Sequence, residues 1–403
     1  MRLCFLLLLA AYLPLYTRAD TLAAHATLMP GKPHLRISLV TCGPGEEVWE
    51  TFGHACLRVI DSAVTGAERD VIYNYGFFEA SENNPISHQV VSGRVIDLLD
   101  TITYSELMAE YTYKKRLLEE QELLLTDSQK VRILAFLKNN LLRRNRYYEF
   151  DTFYDNCSTR IVDLFHQLFG DSFIPGPALP PHSRLTFRDV SITRMCPQQH
   201  KYWFGLGLNL TYASRADRVM TNATCLYLPI FLSKGFAVAT IAGRPISAPK
   251  TIILEEKIAW SQELNWPFIY SLLLAIFTIS GLLYRRQPLP GRIISFVILW
   301  LTGLLGCGAI YLWCLDGEPA FKDNLIILWA LPTNLVLPFL GTMLRRRYAV
   351  VAMVLIGISL LLHLFRIQVL PLLEISPLLL SLIWIYALML RPNQHTAVIN
   401  KDI

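Results

Sequence analysis

Apolar and polar positions follow two different patterns along this 403-residue chain. In the first part, short runs rich in Val, Ile, Tyr and Phe are separated by Gly, Pro and polar residues, as is typical of strands. They predict strands at residues 35–41, 48–60, 70–78 and 89–98, and a strand or helix end at 117–125. Helical spacing and a capping-box sequence predict helices at residues 105–115, 126–145 and 156–169. Strands followed by helices favour an α+β domain with an antiparallel sheet.

From residue 266 onward the pattern changes to long apolar runs, each near the ~20 residues that a helix needs to cross a bilayer. We therefore predict that residues 266–391 form an all-α domain of five transmembrane helices, at residues 267–284, 293–315, 325–344, 348–365 and 370–390. Asn334 lies in the third of these spans, between Pro332 and Pro338. It either lines a cavity that admits a lipid chain or headgroup, or makes hydrogen bonds between helices.

Basic residues in the loops predict how these spans are oriented. Arg285, Arg286 and Arg292 lie between the first two spans, and three arginines at 345–347 lie between the third and fourth, whereas the loop at 316–323 is acidic. The positive-inside rule places the arginine loops and a C-terminal tail, residues 392–403, in the cytoplasm. Because the number of spans is odd, everything before them lies on the outer side.

The N-terminus supports the same topology. Arg2 precedes a short apolar stretch that ends in small residues at Thr17 and Ala19, which is typical of a secretory signal peptide. We predict that residues 1–19 are this signal, cleaved after Ala19, and that residues 20–265 form the exported domain. An uncleaved anchor helix is the alternative.

Composition excludes several classes of protein. With 53% hydrophobic and 17% charged residues, the chain is neither disordered nor an ordinary soluble enzyme. Its formal net charge of +5 comes from arginines beside the spans, so it reflects membrane topology and predicts no nucleic-acid partner.

The exported part contains five cysteines, which is an odd number. Two disulfides and one free thiol are the simplest expectation in an oxidising compartment, although five free thiols are also possible. Because no Cys or His cluster has the spacing of a zinc site, we expect no metal. The five residues are Cys42, Cys56, Cys157, Cys196 and Cys225.

Cys157 is the strongest candidate for chemistry. Asp155 or Asn156 can cap the helix that follows, which places Cys157 in its first turn, where the helix dipole favours a thiolate and backbone N–H groups can bind an oxyanion. A thiolate nucleophile needs a base. His54, on a predicted strand, is the best candidate, and Asn74 on the next strand is the best candidate for orienting it. The alternative is a structural Cys157, or one half of a disulfide.

Three sequence blocks carry a resemblance to a known family. They are residues 39–45 running into 51–55, residues 73–77, and residues 154–160, of which Asn-Cys-Ser-Thr-Arg is the most specific part. The order of a His on a strand, a polar residue on the next strand and Asn-Cys at a helix start resembles the circularly permuted NlpC/P60 fold, which is papain-like. More closely, the blocks resemble the Lnb lipoprotein N-acyltransferase family, which also joins an exported domain to a five-helix membrane unit.

The resemblance implies an enzyme of the bacterial inner membrane with its catalytic domain in the periplasm. Such an enzyme moves a fatty acyl chain from a phospholipid to the α-amine of a lipoprotein's N-terminal cysteine, without a cofactor. Cys157 is then the nucleophile, His54 the base and Asn74 a plausible third member. Substrate binding is assigned to Asn156, Arg160 and Asn334.

Two other interpretations stay open. The same Cys/His pair serves cysteine peptidases or amidases that act on cell-wall peptide, although a simple membrane anchor needs one span and not five. A non-catalytic envelope module in which Cys157 is structural is the second. Farther along the chain, Arg188 and Asp217 either contact a lipid headgroup or lie on the solvated surface.

Overall fold

The computed structural model of the protein describes residues 34–78, 89, 92, 94–283, 288–315 and 317–391. The predicted signal peptide, residues 1–19, and the predicted tail, residues 392–403, lie outside the described residues. The same is true of Arg285 and Arg286, on which part of the predicted orientation depends.

An antiparallel sheet of seven strands is the centre of the N-terminal domain, which confirms the predicted fold class in its α+β and antiparallel character. The strands of the domain are β1 Leu35–Cys42, β2 His54–Asp61, β3 Asp70–Phe78, β4 Ile96–Thr103, β5 Leu118–Glu122, β6 Tyr147–Glu149, β7 Phe173–Ile174, β8 Thr240–Ile241, β9 Arg244–Pro245 and β10 Thr251–Leu254. The large sheet has the order β10-β5-β1-β2-β3-β4-β6, and β7, β8 and β9 form a separate small sheet.

Helices pack on both faces of the large sheet. The helices of the domain are α1 Tyr104–Tyr113, α2 Asp127–Asn140, α3 Cys157–Phe169, α4 Phe187–Val190, α5 Cys196–Gln198, α6 Tyr202–Thr211 and α7 Pro229–Ala237. The main core joins one sheet face to α2, α3 and α7. Helix α3 buries Ile161, Leu164 and Phe165 there, at the helical spacing that its sequence predicts. Leu107 and Tyr111 of α1 pack on the opposite face.

Two predicted strands have the wrong limits. The run at 48–60 is not one strand: Val48–Glu50 is a 3₁₀ turn, and β2 begins only at His54. The run at 89–98 gives no strand before Ile96 in the part that the structure describes. Apolar β-branched residues occur in both runs, but the first is interrupted by Gly53, whose φ is +78°. By contrast, β3 matches its predicted limits, and Thr126 forms the predicted capping box of α2.

The C-terminal domain contains four apolar helices among its described residues, and not the five that the sequence predicts. They are α8 Trp266–Leu283, α9 Pro288–Cys314, α10 Thr342–Leu364 and α11 Leu372–Leu390. Three of them are long and apolar enough to cross a membrane, and the apolar part of α8 is shorter. The predicted third span, residues 325–344, is instead a series of 3₁₀ turns up to Phe339, followed by the start of α10.

Geometry explains how this third segment still runs the length of the domain. Pro332 and Pro338 lack the N–H groups that an α-helix needs, so the segment forms short 3₁₀ turns. A 3₁₀ turn rises about 2.0 Å per residue and an α-helix about 1.5 Å, so a segment of 3₁₀ turns needs fewer residues than the 23-residue α10 to cover the same distance. Gly303 and Gly306 of α9 allow close approach, because a Cβ at Gly306 would collide with the carbonyl oxygen of Ala330.

The two domains meet through polar contacts at one end of the helical domain. Arg366 binds Asp189 at 2.7 Å, and Asn324 donates to the carbonyl of Leu210 at 2.8 Å. Arg346 lies at the other end, where it donates to the carbonyl of Arg391 at 3.0 Å. The loops that face the N-terminal domain are thus those without arginine clusters.

Arg188 and Asp217 do not lie on the solvated surface. They form a buried ion pair at 2.8 Å, in which Arg188 is 1% exposed. Arg188 also donates to the carbonyls of Tyr212 and Ala213, and Asp217 accepts from the backbone of Val369. The pair therefore holds the end of α6 against the helical domain.

Candidate active site

Cys157 is the first residue of α3, and the local sequence explains why the helix begins there. Oδ1 of Asn156 accepts hydrogen bonds from the amides of Ser158 and Thr159, at 2.9 and 3.1 Å. The Thr159 hydroxyl accepts the N–H of Asn156 at 2.7 Å, which completes a capping box. Cys157 is half-buried at the positive end of the helix dipole.

His54 is the first residue of β2, and a glycine fixes its position. A Cβ at Gly53 would lie 2.5 Å from the carbonyl oxygen of Cys42, so the turn requires glycine. Nε2 of His54 lies 2.5 Å from Oδ1 of Asn74 on the neighbouring β3. Because an amide oxygen only accepts, Nε2 carries the proton, and Nδ1 is the ring nitrogen left for another partner.

A second glycine provides the space for the imidazole. Gly76 has a φ of +151°, and a Cβ there would lie 2.8 Å from Cε1 of His54. The pairing of β3 with β4 shifts register between Tyr75 and Phe77, so Gly76 forms a bulge. The sequence block at 73–77 thus supplies both Asn74 and the gap that the His54 ring occupies.

His54 and Cys157 form a coupled acid–base pair. The charges of Cys157 and His54 act on each other, and the Cys157 sulfur also lies 4.0 Å from the hydroxyl oxygen of Ser158. Burial lowers the pKa of His54, but the charge of Cys157 raises it, to about 9. Burial raises the pKa of Cys157, but the charge of His54 brings it below its ordinary value. The arrangement favours a thiolate beside an imidazolium.

A buried ion pair shapes the loop that leads into His54. Arg116 donates to the carbonyl of Gly43 at 2.8 Å and to Glu50 at 2.8 Å. Lys114 binds the same Glu50 carboxylate at 2.7 Å. Burial raises the pKa of Glu50, but Lys114 and Arg116 lower it by more. Sequence analysis missed this cluster because Lys114 and Arg116 lie more than 60 residues from Glu50 along the chain.

Asp97 on β4 is another group near the site that the sequence did not reveal. It is 2% exposed, and its Oδ2 accepts from the Tyr148 hydroxyl at 3.3 Å. Within the described part of the chain, its Oδ1 has no hydrogen-bond partner. Burial raises the pKa of Asp97 to about 7, although the Tyr148 hydrogen bond and the charge of His54 lower it. Its carboxyl group therefore interacts electrostatically with the candidate base.

Two of the residues assigned to substrate binding have structural contacts beside Cys157. Asn156 caps α3, and its Nδ2 donates to the carbonyls of Thr152 and Tyr227. Arg160, one turn after Cys157, binds Asp155 through Nε and Nη2, with its guanidinium 4.1 Å from the centre of the Tyr148 ring. Their roles in substrate binding stay predictions.

Asn334, the third of these residues, lies fully buried in the helical domain. Its Oδ1 accepts from the hydroxyls of Tyr348 and Tyr386 at 2.8 and 2.7 Å, and its Nδ2 donates to Thr302 at 3.0 Å. These bonds link the 3₁₀ segment to α9, α10 and α11. They are hydrogen bonds within the bundle, the alternative to a lipid cavity, and a role in substrate binding stays a prediction.

The expected disulfides are absent from the described part of the chain, where all seven cysteines are free thiols. Burial raises the pKa of Cys196 and Cys225, to about 12 and about 11. For Cys42, burial raises the pKa, but a hydrogen bond with Cys56 and the charge of His54 lower it to about 7. Of the five thiols in the N-terminal domain, only Cys157 is not fully buried. Among the same described residues, no three His, Cys, Asp or Glu side chains cluster as metal ligands.

Two family models match the chain. Residues 32–178 match the Lnb N-terminal periplasmic domain, and residues 260–395 match the Lnb transmembrane domain. Together the matches cover more than half of the chain, and they leave residues 179–259 between them. No curated protein and no solved structure matches the chain.

Proposed function

Because the chain belongs to the Lnb family, with a periplasmic domain followed by a transmembrane domain, we propose that it is a lipoprotein N-acyltransferase that works through a thioester on Cys157. The observation that carries this proposal is the arrangement of a thiol at a helix N-terminus, an imidazole whose charge acts on that thiol, and a hydrogen bond from the imidazole to Asn74. A lowered thiol pKa and a raised imidazole pKa are what an activated nucleophile requires.

In the first half-reaction the Cys157 thiolate attacks an ester carbonyl of a phospholipid. As the tetrahedral intermediate collapses, the C–O bond breaks, and Nδ1 of the imidazolium donates its proton to the leaving alkoxide. The products are a lysophospholipid and a thioester between the fatty acyl group and Cys157. Asn74, which accepts from Nε2, keeps Nδ1 directed at the reacting atoms throughout.

In the second half-reaction the neutral amine of a lipoprotein's N-terminal cysteine attacks the thioester. His54, now neutral, takes the proton that the nitrogen loses, and the C–S bond breaks to regenerate the thiolate. The product is an amide, which leaves the enzyme in its starting ionic state. A thioester suits this step because sulfur is a better leaving group than an alkoxide.

This scheme needs N–H groups that bind the oxyanion, and the first turn of α3 has fewer of them available than a helix N-terminus usually has. Asn156 already occupies the N–H groups of Ser158 and Thr159. We therefore assign the oxyanion to the N–H of Cys157 itself, supported by the helix dipole. Asn156 then contributes by fixing this helix end, and Arg160 retains Nη1 for a lipid phosphate.

The proposal includes a topology and an arrangement of the site. The arginine-rich end of the helical domain lies in the cytoplasm and the C-terminus with it, as the positive-inside rule requires. We also propose that the His-bearing strand, the Asn-bearing strand and the Cys-bearing helix correspond to the permuted NlpC/P60 arrangement, as the sequence resemblance implies. Both substrates are anchored in the outer face of the inner membrane, which is a physical reason for joining this thiol site to membrane helices.

Intact-protein mass spectrometry after incubation with phospholipid tests the proposal. We expect a fatty-acyl adduct that hydroxylamine removes, present in the wild type and in Cys225→Ala, and absent from Cys157→Ala. His54→Ala and Asn74→Ala should slow its formation. A diacylated lipopeptide with a free N-terminal cysteine should then take up the acyl group as an amide.

Two results would contradict the proposal. An adduct that persists in Cys157→Ala would rule out this nucleophile. No adduct, together with cleavage of a cell-wall peptide that depends on Cys157, would establish the peptidase or amidase interpretation.

A further inference from the structure

Helix α6, Tyr202–Thr211, lies at the junction between the two domains. Leu206 and Leu210 pack against the core of the helical domain, whereas Leu208 packs against the core of the N-terminal domain. Asn324 donates to the carbonyls of Leu210 and Thr211, at 2.8 and 3.0 Å. The helix is therefore fixed at the level where the membrane helices meet the periplasmic domain.

Three aromatic side chains mark the same level. Trp203 of α6 has its ring centre 6.1 Å from that of Tyr270, which lies 5.7 Å from that of Trp266 at the start of α8. All three are exposed, at 55%, 54% and 41%. Exposed Trp and Tyr side chains at the end of a membrane helix favour the headgroup region of the bilayer, because their rings are apolar and their N–H or O–H groups are polar. This aromatic cluster thus marks the membrane–water interface.

The segment that begins at Gln199 also holds the turn that precedes His54. Lys201 Nζ donates to the carbonyls of Gly45 and Glu47 and to the hydroxyl of Thr51, at 2.6, 2.8 and 2.9 Å. Gln199 Nε2 donates to the carbonyl of Thr51 at 2.8 Å. The ring of Phe204 lies 6.3 Å from that of Phe52. Residues 45–52, which form this turn, are therefore held by hydrogen bonds and ring contacts to the segment that carries Trp203 of the aromatic cluster.

This turn exposes apolar side chains that the domain itself does not cover. Val48 is 46% exposed and Trp49 is 63% exposed, in a 3₁₀ turn that ends at Glu50, whose carboxylate binds Arg116. An exposed tryptophan that is joined by these contacts to interfacial aromatic residues is positioned to contact lipid. The ester bonds of a phospholipid lie just below its headgroup, at the depth that interfacial aromatic residues occupy.

We propose that Val48, Trp49 and Trp203 form a lip that inserts into the outer leaflet and admits the phospholipid acyl donor to Cys157 past the His54 turn. The inference rests on the proposed function for the identity of the lipid as a donor. The inference goes beyond that function because it identifies the surface through which the phospholipid enters. The donor ester then reaches the thiolate without leaving the depth of the interface, so no acyl chain is exposed to water.

The first test compares two acyl donors. Trp49→Ser and Trp203→Ser should each lower the rate of Cys157 acylation by phospholipid in nanodiscs about tenfold, which corresponds to the loss of one large apolar contact. Acylation by p-nitrophenyl butyrate, which is water-soluble, should stay unchanged. Tyr113→Ser, which alters a side chain that is 86% exposed on α1, is the matched control and should affect neither donor.

If both donors acylated Cys157 equally more slowly in these variants, the turn would have only a structural role in supporting His54. That result would overturn the proposed lipid-contacting role of the lip. No loss with either donor would overturn it as well. A second measurement does not depend on acyl transfer: quenching of tryptophan fluorescence in nanodiscs of phosphatidylcholine brominated near the top of its acyl chains. The fluorescence of Trp49, obtained by subtracting the emission of Trp49→Phe from that of the wild type, should be quenched by the bromine atoms. The additional fluorescence of a tryptophan introduced by Tyr113→Trp should not be quenched. An unquenched Trp49 would exclude insertion even if Cys157 forms the thioester.

Discussion

Glu318, in the loop that follows the second membrane helix, accepts hydrogen bonds from the amide and the hydroxyl of Thr152, five residues before Cys157. The carbonyl of Thr152 in turn accepts from Nδ2 of Asn156, the cap of α3. Beside Glu318, Ala320 is buried in the core of the periplasmic domain. The transmembrane domain therefore contacts the loop that determines where α3, the helix of the proposed nucleophile, begins.

Loss of this contact should reduce the reactivity of Cys157. Glu318→Ala removes the acceptor for Thr152, and we expect the alkylation rate of Cys157 at pH 6 to fall about threefold to tenfold, as for a weakened helix cap. Burial and the charge of Asp151 raise the pKa of Glu318 to about 7, so the uncharged Glu318→Gln should retain most of the rate. Glu374→Gln is the control, because Glu374 accepts a hydrogen bond from Asn265 and does not contact Thr152; it should leave the alkylation rate unchanged. A rate in Glu318→Ala equal to that of the wild type would show that the two domains are not coupled here.

The ion pair predicts an unusual pH dependence of alkylation. Because the pKa of Cys157 is lowered, its thiolate should form at a lower pH than that of an ordinary thiol, and iodoacetamide should modify it below the ordinary ~8.5. The buried Cys196 and Cys225, with pKa values of about 12 and about 11, should not react. His54→Ala removes the imidazolium, so the midpoint of the alkylation profile should shift upward, toward the ordinary ~8.5 of a thiol. Peptide mass spectrometry of the alkylated protein measures this, and an unchanged midpoint would contradict the ion pair.

The same pair predicts the alkaline limit of the acylation reaction. The leaving alkoxide needs the proton on His54, whose pKa is about 9. The rate of acyl-enzyme formation should therefore fall as the pH rises through about 9, although the thiolate is still present. A rate that keeps rising to pH 10 would mean that His54 is not the acid in this step.

Gly76→Ala tests the space beside His54. The added Cβ would lie 2.8 Å from Cε1 of His54, so the ring must move and its bond to Asn74 must weaken. We expect acylation to slow by at least about tenfold, the lower range for losing a positioned base. Gly66→Ala is a matched control, since Gly66 also has a positive φ of +75° but its Cβ would meet nothing within 4 Å. Equal loss of activity in the two variants would attribute the effect to backbone strain alone.

Asp97→Asn should stabilise the protein at neutral and alkaline pH. The pKa of Asp97 is about 7 in the folded protein and about 3.9 in an unfolded chain. A raised folded-state pKa makes the carboxyl destabilising as pH rises from about 4 to about 7, and fully so above 7. Thermal unfolding in detergent should show a higher Tm for Asp97→Asn at pH 8 and little change at pH 4. Asp100→Asn, which loses a salt bridge with Arg146, should lower Tm instead. A lower Tm for Asp97→Asn at pH 8 would refute a costly buried charge.

Local signals in the sequence were sufficient for the helix of Cys157 and the strand of Asn74, whereas the strand of His54 was predicted to begin six residues too early. Asn-Cys before an amphipathic stripe predicts the helix start, and a β-branched run predicts β3 with its correct limits. Asp97 and Glu318 carry no such signal, because only the tertiary fold brings them to the site. The third crossing was assigned wrongly because hydropathy measures how apolar a segment is, and not how its backbone groups are hydrogen-bonded.

That third crossing also constrains how the protein is assembled. The four α-helices satisfy their backbone hydrogen bonds within themselves, and three of them, α9, α10 and α11, are long and apolar enough to cross the bilayer alone. Residues 325–340 cannot, because Pro332 and Pro338 interrupt the ladder and the short 3₁₀ turns leave polar groups that lipid does not satisfy. They therefore reach their final form only after α9, α10 and α11 have gathered around them, with Asn334 joining all three helices. Residues 325–340 are synthesised before α10 and α11 but fold after them. The order of synthesis and the order of folding therefore differ in this membrane domain.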